Sequence, residues 1–353
     1  MKTDAKILIC YNSPASVFSV YNGKPSDNGT TSNDLSEVGF SKQIGKIKKD
    51  LQQYFPIVDS LAIDRNINRI INKLNSFSPD IIFNFVESVE GISNYEYCSV
   101  GLFELLGFQY TGNTPACLGN CLDKERAKNI LRSFNIETPD SVVIRKTDTI
   151  SEKDFELKFP VILKLLTEDA SIGISEYSVV YNLHELKKHV EFLSYTYSQD
   201  ILAEEYIDGR ELNVAILGNR VLPISEIMFS GLPDGLPKIV TYDGKWIEKS
   251  IYYENTIPVC PAQLDPKIKK DVEAISLSAF EALSCRDYAR VDIRLDKDNK
   301  PYVIEVNPNP DISEDSGFAR AIVADGLSYV DLLYRIANFA LERYKNGTKT
   351  KVS

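Results

Sequence analysis

The chain has 353 residues, enough for two or three subdomains rather than one simple core. Apolar residues make up 43% and charged residues 25%, and no apolar run approaches the roughly 20 residues that span a bilayer. A net charge of −10 argues against a nucleic-acid surface, although lysines can still be focused in one cleft.

The start, MKTDAKILICYN, has a polar head and a short strand-like run, not the pattern of a signal peptide. The six cysteines (Cys10, Cys98, Cys117, Cys121, Cys260 and Cys285) are scattered without a CxxC pair. They read as small core hydrophobes of a reducing compartment, so a cytoplasmic location is expected. The two histidines, His184 and His189, fall in the polar stretch HELKKHVEF and read as solvated helix residues. A histidine-based triad or imidazole zinc site is therefore not expected, and any metal should be a hard cation held by oxygens.

In chain order, KILIC reads as a strand, followed by the polar loop KPSDNGTTSND and a helix with Val38, Ile44, Ile47 and Leu51 on one face. A strand at 57–63, a helix led by Asp64, the strand IIFNF, a helix through YCSVGLFELLG and the segment FQYTG come next. Such strand–helix alternation implies a small parallel sheet covered on both faces. A helix holding DKERAKNILRSF then leads to ETPDSVVI, with Pro139 as its breaker. From there the rhythm changes to strands: VILKLL, YSVVY, ILAEEYI, ELNVAIL and VLPISEIMF, with one long helix among them. That part reads as antiparallel α+β. The polar stretch from Ser230 to Ser250 reads as a mobile loop. The helix PKIKKDVEAISLSAFEAL, the strands YARVDIRLD and PYVIEVN around the turn DKDNK, and a long C-terminal helix complete the chain.

The segment YVIEVNPNPDIS holds a problem in physical chemistry. Glu305 sits within an apolar strand, and Asn307 lies two residues on, hence on the same face. A carboxylate there is costly unless an Arg, a Lys or a hard metal ion meets it. The turn DKDNK is short enough to make a hairpin, which brings Asp292 near Glu305 and Asn307. Two carboxylates and an amide oxygen suit Mg²⁺ better than a single Arg; the plainer alternative is a set of surface acids near a turn. Lys164, in a strand of apolar neighbours, is either a phosphate ligand or a snorkelling edge residue. The small-residue turn TEDASIGIS after it could close over phosphates. Glu204 and Glu205 end another strand and Glu211 opens the next, where a carboxylate could receive an adenine amino group or ribose hydroxyls. There is no GxxxxGK[ST] and no GxGxxG.

NFVESVEG with LLGFQYTGN, CLDKERAK, FPVILKLLTEDASIG, EEYIDGRELNVAILG, TYDGKWIEKS with CPAQL, and YARVDIRLD with YVIEVNPNPDIS occur in that order. With these segments the chain resembles ATP-grasp ligases, and among them the D-alanine–D-alanine ligase family. The resemblance implies a three-subdomain ATP-grasp fold: an N-terminal α/β parallel-sheet domain (1–117), a central lid subdomain (118–207) and a C-terminal subdomain (208–353) with the metal and catalytic site. It implies that Lys124 and Lys164 bind ATP phosphates, with Glu204, Glu205 and the Ile207 backbone near adenine and Glu211 at the ribose. Lys245 would close on the γ-phosphate, Arg290 would steady the acyl-phosphate, and Asp292, Glu305 and Asn307 would hold two Mg²⁺, with Mn²⁺ as a substitute. The reaction implied is amide formation between a small acid and an amine, with ADP and phosphate released; a homodimer is compatible with it.

The family closes its site with a Glu, a Ser and a Tyr. Glu37 matches the first; Ala170 stands where the Ser is expected, beside Ser171; and Trp246, the only tryptophan, replaces the Tyr. Asp311 stands where the family has Gly, and Ser316 matches a serine that touches the acceptor. The amino-acid half is thus rewritten, and a substrate other than D-alanine is expected. A genuine D-alanine–D-alanine ligase and a non-catalytic, ATP-binding regulatory protein are the alternatives.

Overall fold

The computed structural model describes residues 4–25, 34–35, 43–148, 150 and 155–347. Three sheets follow one another along the chain. The first joins β1 (Lys6–Asn12), β2 (Ile57–Ile63), β3 (Ile81–Phe85) and β4 (Gln109–Tyr110) in the order β2-β1-β3-β4, all parallel. Period-2 alternation sorts β1 cleanly: Ile7 and Ile9 join one core, while Leu8 and Cys10 join the one on the other face. Helix α1 (Ile44–Leu51) covers the first face with Ile44, Ile47 and Leu51; Val38, expected at its start, lies outside the described residues. Helices α2 (Ile67–Phe77) and α3 (Glu96–Leu105) cover the second. The cap of α2 is Asn66, which accepts from Arg69 N, rather than Asp64; Asp64 instead accepts from Asn66 N one turn earlier.

Helix α4 (Pro115–Leu122) runs through the expected 117/118 boundary. Asp123 closes it and caps α5 (Lys124–Ser133), so Lys124 is the first residue of a helix. That helix stops six residues before Pro139, at Phe134 and Asn135, the latter in the left-handed region at φ 57°.

The second sheet to be completed in sequence is antiparallel, in the order β5-β8-β6-β7: β5 (Ser141–Ile144), β6 (Val161–Leu165), β7 (Val179–Val180) and β8 (Ile201–Glu205). Of the expected strand YSVVY, Val179 and Val180 form β7, while Tyr177 and Ser178 belong to a single turn, Glu176–Ser178, that Ser175 caps with a reciprocal side-chain bond. Helix α6 (Leu183–Tyr197) packs on this sheet through Leu186, Val190 and Leu193. His189 belongs to the buried face of α6, 7% exposed and stacked on Phe192, which corrects the expectation of a solvated residue.

The third sheet, also antiparallel, runs β12-β11-β9-β13-β14, with β10 (Arg220–Val221) on β9 (Arg210–Leu217). Its other members are β11 (Ser225–Met228), β12 (Ile257–Val259), β13 (Tyr288–Leu295) and β14 (Pro301–Asn307). Pro223 separates β10 from β11, where one strand was expected, because proline cannot donate to the ladder. Helix α9 (Pro266–Ala282) covers one face with Val272, Ala279 and Phe280. Before it lie α7 (Tyr242–Trp246) and α8 (Ile251–Asn255); α10 (Gly317–Ala324) and α11 (Tyr329–Gly347) follow the hairpin. The last of these packs back against the N-terminal sheet through Leu332, Leu333, Ile336 and Ala337.

The Ser230–Ser250 stretch is irregular apart from α7, but it is held by specific contacts. Thr241 caps α7, Tyr242 N donates to Ile174 O at 3.0 Å and Ser171 Oγ donates to Val240 O at 3.0 Å. Burial of Tyr242 against Tyr21 and Trp246 supplies the apolar anchor that its polar sequence hides. Opposite, the segment after β1 backs onto the same turn. Gly23, at φ +68°, approaches Gly173 so closely that an added Cβ would lie 2.1 Å from Gly173 O.

Candidate active site

The three sheets enclose one cleft of about 990 Å³. Every described site residue expected from the sequence lines it: Lys124, Lys164, Ser171, Glu204, Glu205, Ile207, Glu211, Lys245, Trp246, Arg290, Asp292, Glu305, Asn307, Asp311 and Ser316. Glu37 lies outside the described residues.

The floor is built by register. Asn213 on β9, Asp292 on β13 and Glu305 on β14 are direct cross-strand partners, and Arg290 faces Asn307 two pairs further on. Below this row the ladder slips: Asp292 pairs with Glu305 but Ile293 pairs with Val303, leaving Ile304 as an extra residue. The bulge resolves the puzzle of an acid in an apolar strand. Val303 and Val306, three apart, both enter the core, while Ile304 and Glu305, adjacent in sequence, both line the cleft.

Asp292 is the hub. Its Oδ1 accepts from Arg290 Nε at 2.7 Å and Asn213 Nδ2 at 2.8 Å; its Oδ2 accepts from Arg290 Nη2 at 2.8 Å and Asn307 Nδ2 at 3.0 Å. With its nitrogen committed there, the Asn307 amide oxygen is left for a cation. Burial alone would raise the Glu305 carboxyl, but Lys124, Lys164, Lys245 and Arg290 hold it ionised, at about 2. Lys124 lies 3.2 Å from Glu305 and 3.1 Å from Asp169, and these acids outweigh burial and raise its pKa. Lys245 behaves oppositely. Burial, then the nearby Arg290, lowers its pKa, and among the described residues it has no ion-pair partner. An oxygen-only donor set of two carboxylates and one amide, ringed by lysines, suits a hard divalent cation with an anionic ligand.

Sequence reasoning missed the partners of Glu204 and Glu211. Glu204 is 2% exposed and lies between Lys164 and Lys128, the latter 2.8 Å away and 3% exposed. Oε1 accepts from Lys164, and Oε2 lies at ion-pair distance from Lys128 without a hydrogen bond among the described residues. Glu211 is paired with buried Arg294 at 2.6 Å, and Arg294 Nη1 also donates to Ile207 O at 3.2 Å. Glu205 is placed by its backbone, with Glu205 N donating to Asp140 O at 2.9 Å. Nothing local marks Lys128 in KERAKN; a lysine one helical turn after Lys124 was the only available hint.

At the other end, Trp246 Nε1 donates to Ala170 O at 3.1 Å, so two of the three positions that depart from the expected pattern are bonded to each other. Ala170 and Ser171 both hold left-handed backbone, at φ 53° and 61°. Ser316 Oγ caps α10 by accepting from Ala319 N at 3.1 Å. Asp311 is exposed, accepts from Ser313 N at 2.8 Å and lines the cleft together with Asp315 and Arg320. Glu96, buried on α3 and bonded to Asn309 Nδ2 at 3.1 Å, is pushed well above the usual carboxylate range by desolvation.

The profile of the family described as "D-ala D-ala ligase C-terminus" matches residues 130–338. The chain is 34% identical over 265 residues to the uncharacterized protein y4sG of Sinorhizobium fredii, covering 75% of each. It is 32% identical over 243 residues to D-alanine–D-alanine ligase A of Bacillus cereus, covering 69% of this chain and 75% of that one. Among solved structures, D-alanine–D-alanine ligase from Bacillus anthracis complexed with ATP superposes with a TM-score of 0.70 at 25% identity, over 97% of this chain and 99% of that one.

Proposed function

Since this chain belongs to the D-alanine–D-alanine ligase family of ATP-grasp carboxylate–amine ligases, which use ATP and Mg²⁺, we propose that its acid and amine substrates are not both D-alanine. The observation that carries this reading is the Trp246–Ala170 bond. An indole N–H donating to a backbone carbonyl stands where the family pattern places a side-chain hydroxyl chain, and indole cannot accept in return. Asp311 supports it, because a carboxylate at the cleft mouth favours an acceptor amine that carries a further positive charge.

The chemistry assigned to the cleft is activation of a poor electrophile. The acid's carboxylate oxygen attacks the γ-phosphorus of ATP, ADP leaves, and the amine displaces phosphate from the acyl-phosphate to give the amide. Lys124 and Lys164 neutralise phosphate oxygens, Lys245 covers the transferring group from α7, and the Arg290 guanidinium meets the oxyanion at the acyl carbon. Asp292, Glu305 and the Asn307 oxygen would hold Mg²⁺, which supplies charge neutralisation at the phosphates. No histidine is needed; the work is positioning and electrostatics.

Phosphate release with ATP, run on D-alanine alone and on a panel of amino acids, diamines and small acids, tests the proposal. Faster turnover by a panel pair than by D-alanine is expected. D-alanyl-D-alanine formation at about 1 s⁻¹ or above, unmatched by any other pair, would overturn it. The names of the relatives favour that second outcome. Silence with every pair would instead point to an ATP-binding regulatory protein.

A further inference from the structure

Half of the chain's cysteines meet at one point far apart in sequence. Cys117 and Cys121 are one turn apart on α4, and Cys285 follows α9 at the entry to β13. Their three sulfurs all lie within 4.8 Å of one another, with Cys117 Sγ 3.5 Å from Cys285 Sγ. None is in a disulfide. Cys117 and Cys121 are 1% and 5% exposed, and Cys285 is half-buried.

We propose that Cys117, Cys121 and Cys285 form a three-sulfur site for a soft, thiophilic d¹⁰ cation of the monovalent-copper class. Thiolates select such cations over the hard ions that the catalytic cleft suits. Three sulfurs about 2.3 Å from one centre in a plane stand about 4 Å apart, within the spread found here. A fourth donor, which structural zinc requires, is lacking among the described residues. Asn113 Oδ1, 3.5 Å from Cys117 Sγ, accepts from Arg286 N at 2.6 Å, and Asn113 Nδ2 donates to Tyr288 O and Pro308 O. Arg286, held on Gly112 O and stacked over Tyr110, places a positive charge nearby that offsets the surplus of thiolates. Binding releases the thiol protons to solvent and involves no electron transfer.

The site would also be a clamp. Helix α4 ends at the residue before Asp123 and Lys124, and Cys285 leads into the strand bearing Arg290 and Asp292. A shared cation would thus join the two segments that bring opposite walls of the cleft together.

The test is anaerobic titration of the reduced full chain with Cu⁺ against a competing chromogenic Cu⁺ chelator. One equivalent retained per chain is expected, with a first shell of three sulfurs in X-ray absorption and a higher melting temperature than the metal-free protein. Cys285→Ser, at the half-buried position least demanding on the core, should weaken retention on the order of 100-fold or more. Cys98→Ser, at an exposed cysteine outside the cluster, should change nothing. Failure of the wild-type protein to hold Cu⁺ against the chelator, a first shell containing nitrogen or oxygen, or full retention by a folded Cys285→Ser protein would each overturn the assignment.

Discussion

Trp246 Nε1 donates to Ala170 O at 3.1 Å, fastening α7 to the turn that follows the Lys164 strand. Lys245 stands one residue before the indole, so this bond helps set where the ammonium group enters the cleft. Replacing Trp246 with Phe keeps an aromatic ring against Tyr242 and removes the donor. One neutral hydrogen bond contributes about 1 kcal/mol, so kcat/KM should fall about fivefold. Steady-state kinetics with the best substrate pair provide the measurement. A change of less than twofold would mean that the contact does not position Lys245.

Glu305→Gln removes a charge from the cation cage without changing volume. The folded protein should persist, since Lys124 keeps Asp169 at 3.1 Å, while Mg²⁺-dependent ATP turnover falls by about 100-fold or more. Circular dichroism and phosphate release, measured on the same sample, separate the two effects. Near-normal turnover would remove Glu305 from the metal site.

The two lysines on Glu204 should part company under mutation. Lys164 faces the cleft, and Lys164→Ala should mainly raise the ATP KM. Lys128 is sealed in, and Lys128→Met leaves Glu204 with one partner in a desolvated place, costing about 3–5 kcal/mol of stability. Denaturant unfolding beside ATP kinetics distinguishes them. A Lys128→Met protein as stable as the parent would show that the buried pair contributes little.

His189 gives the chain an acid-sensitive element. Buried, with no hydrogen-bond partner on Nε2 among the described residues, it has a pKa lowered from 6.5 to about 4 by desolvation. Between those values the unfolded chain binds a proton that the native chain does not, so its contribution is complete above about 6.5 and lost as pH falls toward 4. The difference amounts to about 3 kcal/mol. His189→Leu should remove that part of the slope, read as a flatter stability curve across this range. Parallel curves for the two proteins would contradict it.

Much of this was legible in the residues. The i, i+2 placement of Glu305 and Asn307 and the short turn before them anticipate the row that Asp292 completes, because hairpin pairing is local. What stayed hidden depends on partners far along the chain. Lys128 reads as one more helix lysine until Glu204 meets it, and the α6 pattern around His189 is polar enough to pass for a solvated face. Cys117 and Cys285 are 168 residues apart, a distance no spacing rule spans. The order in Ser230–Ser250 rests on Tyr242 and Ile174, which belong to different sheets' loops. Glu37 lies among residues the structure does not describe.

The slipped rung on β14 also separates two jobs that a regular strand would have tied together. Since Asp292 already faces Glu305, and Ile293 already faces Val303, excising Ile304 would leave a continuous ladder and the same set of cleft-facing oxygens. What would vanish is an aliphatic side chain from the cleft floor. Ile304 is therefore a surplus residue in the architectural sense, free to change in size and shape while the acids on either side of it keep their aim. Through that one position the width of the cleft floor can change while the charges beside it keep their places.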